Sequence, residues 1–252
     1  MGHKVLRYGA VLAGGSALAH GIPAVATIPF VRIKLFSKLS GLGRANHLAL
    51  TFDDGPDPKS TLIFLDTLDQ LGHKATFFML GLMVERNPSI AREVVSRGHE
   101  IGLHGYEHIN HLYRTFPGVL ADIRKGFDTI VNLTDTTPTW FRPPYGVLST
   151  SSLISAKLTG LKPILWTTWG KDWEDSCTPE TIFHNLTKSI DPNSTNSRIS
   201  NPRMAGPTLL LHDSDCTSQV SSWISSVNSL HLLDKWATEN QFGLGTLSDH
   251  FL

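Results

Sequence analysis

Cysteine is almost missing from this 252-residue chain; only Cys177 and Cys216 occur. That excludes a scaffold stapled by disulfides and leaves room for one bridge between the two. An excess of either charge is missing as well. The 22 Lys and Arg balance 22 Asp and Glu, for a formal net charge of +0. Nothing favours a nucleic-acid partner, which asks for a basic footprint. A long, strongly apolar run is also absent. A membrane-spanning helix wants about 20 such residues. The nearest candidate, residues 10–26, is rich in Ala and Gly and is broken by Gly14-Gly15, His20-Gly21 and Pro23. No linker divides the chain and no segment repeats, and this length suits one large domain or two small ones.

The N-terminus has a signal-like order. His3, Lys4 and Arg7 lead into the apolar stretch, which ends in Ala24-Val25-Ala26, the small-x-small form of a signal-peptidase site. Residues 30–38 alternate apolar and basic side chains. They suit either an anionic membrane surface or a helix packed on the outside of the domain. Residues 1–45 are therefore expected to be a signal-like or membrane-associating extension, and residues 46–252 the main folded domain. The location that follows is extracytoplasmic, secreted or membrane-associated. A monomer is expected.

Residues 48–56 read Leu-Ala-Leu-Thr-Phe-Asp-Asp-Gly-Pro, an apolar run that ends in two adjacent carboxylates and a turn. Such a run reads as a buried strand. Two desolvated acids need a cation nearby, a metal or an arginine, unless they only open a turn and cap the next helix. Beyond this point helices and strands alternate. Leu62, Leu65, Leu68 and Leu71 mark a helix closed by Gly72, and Thr76-Phe77-Phe78-Met79 a strand. A helix opened by Asn87-Pro88 stops at Gly98, and a short strand runs into His104. Further helices are expected over 117–133, 151–158, 179–190 and 223–236, and strands over 139–141, 163–166 and 208–211, with a last short one within 242–247. The polar loop 191–206 is expected to be mobile. Steady alternation favours parallel pairing with right-handed crossovers, an α/β fold. Asp53, Asp54, His104, Arg142, Asp172 and His212 all stand just after strands. In a parallel barrel those ends open on one face, where active sites sit.

His104 and His108 are four residues apart, and on a helical turn they would share a face and grip one metal ion. His111 is near enough to be a third ligand or a bystander. Asp54 is the natural anionic ligand, which frees Asp53 to act as a base. Arg142 precedes two prolines, a stiff segment able to hold its guanidinium against a carboxylate. His212 ends a buried run and could protonate a leaving group, with Asp172 orienting its ring; Asp213 is the adjacent alternative.

Taken together these motifs resemble the polysaccharide deacetylases of the NodB-homology type, carbohydrate esterase family four. Thr51-Phe52-Asp53-Asp54-Gly55 is similar to the first family motif, and His104 to His108 to the second. Arg142-Pro143-Pro144-Tyr145, Asp172-Trp173 and Leu210-Leu211-His212-Asp213 resemble the third, fourth and fifth. The resemblance covers about residues 48–247. It implies a distorted (β/α) barrel, usually of seven parallel strands, with the N-terminal apolar and basic extension outside it. It implies hydrolysis of N-acetyl groups on the amino sugars of a peptidoglycan- or chitin-type polysaccharide, with release of acetate. Asp53 would be the base, held by Arg142, and His212 the acid, tuned by Asp172. Asp54, His104 and His108 would bind one divalent metal ion, zinc above all, with cobalt or nickel in some members. The Tyr145 N–H would help bind the oxyanion, and Trp173 and Leu210 would wall the acetyl pocket. The partner implied is an acetylated glycan.

Two positions depart from the pattern. Gly105 stands where the second motif has Ser or Thr, so that loop is expected to be looser or differently braced. Trp169 stands where the fourth motif often begins with Asp, an aromatic that could stack on a sugar ring. Two rival readings stand beside this one. The first is a related amidohydrolase for a small C–N substrate. The second is a silent carbohydrate-binding homologue, which would be expected to lose Asp53 or His212.

Overall fold

The computed structural model describes residues 19–174, 176–190 and 205–252. The first 18 residues of the signal-like segment and most of the polar loop, residues 191–204, lie outside the described residues.

Strand β1, His47–Asp53, is buried along its whole length, as expected of a central strand in a parallel sheet covered on both faces. It is followed by β2 (Thr76–Met79), β3 (Glu100–Leu103), β4 (Trp140–Phe141), β5 (Lys162–Pro163), β6 (Thr168–Trp169), β7 (Thr208–His212) and β8 (Gly243–Gly245). The order across the sheet is β5-β4-β3-β2-β1-β7-β6, and every pair is parallel. β7 runs along β1 from Ala49 to Asp53. β2 and β8 share the other side of β1, β2 at residues 51–53 and β8 at residues 47–49.

Sequence reading expects one strand over 163–166, and the ladder lies at its two flanks instead. Only four residues separate β5 from β6, too few for a crossover between parallel neighbours. They are the two ends of one extended segment that leaves β4 and joins β7, so the sheet closes on itself as a distorted barrel. The backbone between them finds other partners, as buried peptide groups must. Leu165 N–H donates to Leu39 O at 3.0 Å and Thr167 N–H to Thr208 O at 2.9 Å. Leu165 O accepts from Arg142 Nη2 at 3.1 Å, and Trp166 O from Arg32 Nη2 at 2.7 Å.

The helices cover the barrel through apolar faces. Phe52 from β1 meets Phe64 of the helix Ser60–Leu71 and Phe77 of β2, each at 5.0 Å between ring centroids. The long helices Phe116–Thr134 and Ser222–Glu239 bury Ile123 and Ile130, and Leu230 and Leu233, in the same core. A short helix, Gly81–Arg86, appears where the sequence reading expects none.

The described part of the N-terminal extension packs on the barrel. The 3-10 turn Ile22–Thr27 and the helix Pro29–Leu35 place Ala26 against Leu148 and Leu165, with Phe36 and Leu39 beside them. Arg32 is buried in this contact. Phe30 and Leu35 remain 72% and 73% exposed. No helix among the described residues is long and apolar enough to cross a membrane.

Candidate active site

The C-terminal ends of β1, β3, β4, β6 and β7 deliver the candidate residues to one face. Asp53 is the last residue of β1. Asp54 follows at φ 79°, a left-handed turn that lifts it off the strand, so the two carboxylates share only His104 and otherwise take different neighbours.

Arg142 is fully buried and donates from Nη1 to Asp53 Oδ1 at 2.6 Å and to Thr51 Oγ1 at 2.9 Å. Its guanidinium lies 4.0 Å over the Phe78 ring. A charge this deep is tolerable because a carboxylate, a hydroxyl, a carbonyl and an aromatic face surround it. Burial pulls its pKa down, and Asp53 offsets only part of that.

Asp54 Oδ1 lies 3.4 Å from His104 Nε2 and 3.6 Å from His108 Nε2. That oxygen is buried and has no hydrogen-bond partner, while Oδ2 accepts from Thr217 Oγ1. One donor atom from each of Asp54, His104 and His108 falls within 4.8 Å of the others, a group that could hold a metal ion. The Nδ1 of His104 pairs with the Arg142 carbonyl at 2.8 Å, which places the proton there and leaves Nε2 a lone pair. Burial, with His104 alongside, pushes His108 down to about 4, so it is neutral and able to ligate. Burial raises the Asp54 pKa, but His212, His104, His108 and the Thr217 hydroxyl outweigh it, and the net direction is down. An orphaned buried carboxylate oxygen facing two imidazole nitrogens fits a divalent cation.

The two histidines do not share a helical turn, contrary to the expectation from their spacing. His104 leaves the end of β3, and residues 104–110 form an irregular loop with Gly105 at φ 94°. Asp122, from the helix Phe116–Thr134, braces that loop by accepting from Tyr106 N–H at 3.1 Å and Glu107 N–H at 3.2 Å. His111 is a bystander. It is buried between Ser152 and Asp122, each at 3.3 Å, and is outside the metal-ligating group.

Across the pocket, His212 Nδ1 pairs with Asp172 Oδ1 at 2.8 Å, and its backbone N–H donates to Oδ2, also at 2.8 Å. Ser226 Oγ donates to the same Oδ2. Burial works against charge on His212, but Asp172, with Asp54 and Asp53 beyond it, pushes its pKa up to about 10. Asp172 is thus the partner of His212. Asp213 instead takes a hydrogen bond from Thr61 Oγ1 at 2.5 Å, and burial pushes it up to about 7.

Between the two groups lies a pocket of about 320 Å³, lined by Asp53, His104, His108, Tyr145, Trp166, Trp169, Trp173, Leu210, His212 and Thr217. Tyr145 sits at φ 60° with its ring 4.3 Å from that of His108. Trp173 packs edge-on against His212 at 5.6 Å. All the sequence-named residues of the site therefore reach one place. Thr217, Ser226 and Asp122 were missed and carry no pattern in the sequence. Trp166 gave one signal, an aromatic at the end of an apolar run. Cys177 and Cys216 are free thiols, and the bridge for which the sequence leaves room is not formed. They stand behind different strand ends, each Sγ facing a separate carbonyl, Asp172 O and Asp54 O.

A family model described as polysaccharide deacetylase matches residues 41–164. The chain is 36% identical over 174 residues to a peptidoglycan-N-acetylglucosamine deacetylase of Bacillus cereus, covering 66% of this chain and 72% of that one. It is 31% identical over 193 residues to a chitooligosaccharide deacetylase of Azorhizobium caulinodans, covering 73% and 85%. Other curated relatives are longer, and the chain spans as little as 27% of them. Among solved structures it resembles a peptidoglycan N-acetylglucosamine deacetylase in complex with 4-naphthalen-1-yl-N-oxidanyl-benzamide. The TM-score is 0.74 at 28% identity, over 88% of this chain and 96% of that one.

Proposed function

The chain belongs to the polysaccharide deacetylase family, and from that premise we propose that it hydrolyses N-acetyl groups on the amino sugars of a peptidoglycan- or chitin-type glycan. One observation carries the reading. A carboxylate–imidazole cluster with an orphaned oxygen faces a protonated histidine across a pocket with an arginine-held carboxylate between them.

Asp54, His104 and His108 would hold the metal ion, and their oxygen and nitrogen donors suit zinc, with cobalt or nickel next. When bound, such an ion supplies Lewis acidity at the acetamide carbonyl and at the attacking water. Asp53 takes the proton of that water as general base. Arg142 fixes one of its oxygens, so the other, 3.7 Å from His104 Nε2, is turned to the pocket. The Tyr145 backbone N–H serves the developing oxyanion, a donor type typically worth about 10²–10³ in rate. His212 gives its proton to the leaving amine, and Asp172 fixes the tautomer by taking Nδ1–H. Trp173 and Leu210 enclose the acetyl methyl and exclude water.

Residues 46–252 are proposed as the catalytic domain, with residues 1–45 as an appended signal-like or membrane-associating segment. An acetylated wall glycan places the work outside the cytoplasm.

The test is acetate release from acetylated glycans with and without a chelator. Activity should vanish on chelation and return with added zinc; chelator-resistant release would overturn the metal site. His212→Ala should lower turnover by about 10²-fold or more while binding the same amount of zinc. Loss of zinc in that variant would remove His212 from the acid role.

A further inference from the structure

The helix Pro29–Leu35 carries two basic residues that end in different surroundings. Lys34 is exposed, whereas Arg32 is 2% exposed. The other buried guanidinium, Arg142, meets a carboxylate at that depth, Asp53 at 2.6 Å. Arg32 meets none among the described residues. Its Nη1 donates to Ala26 O at 2.8 Å and its Nη2 to Trp166 O at 2.7 Å, and its ring neighbour is Trp166, 5.5 Å away at the centroid. Its Nε is buried and has no hydrogen-bond partner. Burial and the nearby Arg142 push its pKa down, but only to about 10, so it is charged at neutral pH. Two carbonyls and one aromatic face replace the hydration of a guanidinium only in part, and a buried charge with no opposite charge is costly.

A hollow of about 180 Å³ opens beside this group. Arg32 lines it with Thr27, Pro29, Tyr145, Trp166 and Trp169, and no acidic residue does. Its two threonine hydroxyls are already spent, Thr27 on Ala24 O at 2.8 Å and Thr167 on Ser40 O at 2.9 Å. Among the buried side-chain donors of its lining, Arg32 Nε alone is unused. The rest of the wall is indole and proline carbon. Phosphate or sulfate, with several charged oxygens to satisfy, asks for more donors than this. A monocarboxylate with a short apolar tail asks for a cation at one end and an apolar wall at the other, and the hollow has both. Tyr145, Trp166 and Trp169 also line the catalytic pocket, so the two spaces adjoin.

We propose that this hollow is a carboxylate-binding site, with the anion on Arg32 and its apolar tail against Pro29, Trp166 and Trp169, and that it takes acetate leaving the catalytic pocket. The site is separate from the metal-ligating group, since Asp54, His104 and His108 do not line it. Its cation comes from the N-terminal segment, ahead of residues 41–164 matched by the family model. An anion so placed neutralises Arg32 and steadies the seat of that segment on the barrel. The choice of acetate rests on the deacetylase reading; the carboxylate site itself does not.

The experiment titrates the zinc-loaded, isotope-labelled full chain with sodium acetate, exchanged for sodium chloride at constant ionic strength, and follows N–H signals by NMR. Thr27 and Arg32 line the hollow alone, and Trp173 and Leu210 the catalytic pocket alone, so acetate near the metal and acetate on Arg32 are read separately. The Thr27 N–H and Arg32 Nε–H signals should shift to saturation, with a dissociation constant on the order of 1–10 mM for so small a ligand. Propionate should act alike, and the neutral isostere acetamide should bind about tenfold more weakly or worse. Arg32→Met, read at Thr27, should weaken acetate binding about tenfold or more. Thr27→Glu, read at Arg32 Nε–H, keeps the guanidinium and sets a carboxylate of the chain's own in the hollow. It should weaken acetate binding as much, and it guards against a folding defect in the first variant. The Trp173 and Leu210 signals should respond to acetate equally in all three chains. No shift at Thr27 and Arg32, an equal response to acetamide, or an affinity unchanged in both variants overturns the site. Saturable binding at Arg32 without acetate release from any acetylated glycan would sink the deacetylase reading and keep the carboxylate site. Acetate release without binding in the hollow would do the reverse.

Discussion

The two oxygens of Asp54 do different jobs. Oδ2 accepts from the Thr217 hydroxyl, and Oδ1 is left buried and unpartnered between His104 and His108. A hydrogen bond to one oxygen fixes the rotamer and so aims the other. Thr217 therefore supports a metal ligand from behind, and such supporting contacts are typically worth about 10–100-fold in metal affinity. Thr217→Val keeps the shape and removes the donor. We predict that it weakens zinc binding by about 10–100-fold, read by competition with a chelating indicator, while the metal-free chain melts close to its parent. An affinity within about twofold of the parent would remove Thr217 from that role. Asp54 was legible in the sequence because it ends an apolar run. Thr217 was not, because an irregular stretch beyond β7 brings it back to β1 with no periodicity to announce it.

At the scale of an element, the loop after β3 shows how spacing can give the right residues for the wrong reason. A spacing of four from His104 to His108 suggested a helical turn, yet the rings converge from an irregular loop that turns at Gly105. The missing hydroxyl of the second motif led to an expectation of a looser or differently braced loop, and the second alternative holds. Asp122 supplies the brace from a neighbouring helix by taking Tyr106 N–H and Glu107 N–H. This gives a prediction against simple repair of the motif. Gly105 has φ 94°, and a Cβ there would lie 2.9 Å from Asp122 Oδ2 and 3.1 Å from Glu107 O. Gly105→Ser restores the motif's hydroxyl but forces a side chain into a left-handed backbone and crowds the brace. It should destabilise the fold by about 1–3 kcal/mol, measured as a lower urea midpoint. A raised midpoint would show that the loop can take up the side chain without strain.

Across the whole molecule, what the sequence made legible was what a parallel barrel writes locally. Interior strands are continuous apolar runs, and site residues stand at their ends, so β1, β2, β3 and β7 and the set Asp53, Asp54, His104, Arg142, Asp172 and His212 could be read directly. Features set by distant pairing could not. The partner switch across residues 162–169 and the seating of Arg32 against Trp166 depend on opposite edges of the sheet or on segments more than a hundred residues apart. The same holds for the barrel floor, opposite the site, which carries a pH prediction. His250 Nε2 faces Gly41 O at 3.2 Å and so bears a proton; its Nδ1 then accepts from His47 Nδ1–H at 2.9 Å. His99 Nδ1 accepts from Ala75 N–H at 3.2 Å. Each arrangement needs a neutral ring, and burial, helped by nearby positive charge, pushes His47, His99 and His250 each down to about 4. In the unfolded chain these rings titrate near 6.5. Between pH 6.5 and 4 the unfolded state therefore binds more protons, and the stability present above 6.5 is lost as pH falls. Asp213 has the opposite sign. Its folded pKa of about 7 lies above the unfolded value of 3.8, so acid stabilises it over that span. At pH 5 each group is worth roughly 2 kcal/mol. In the metal-free chain His108, also held at about 4, adds to the loss. His212, held at about 10, offsets only a small part of it below pH 7, which leaves a net loss of roughly a few kcal/mol. The urea midpoint should therefore fall steadily from pH 7 through 6 to 5, and a midpoint at pH 5 equal to or above that at pH 7 would mean that the floor histidines do not control acid stability.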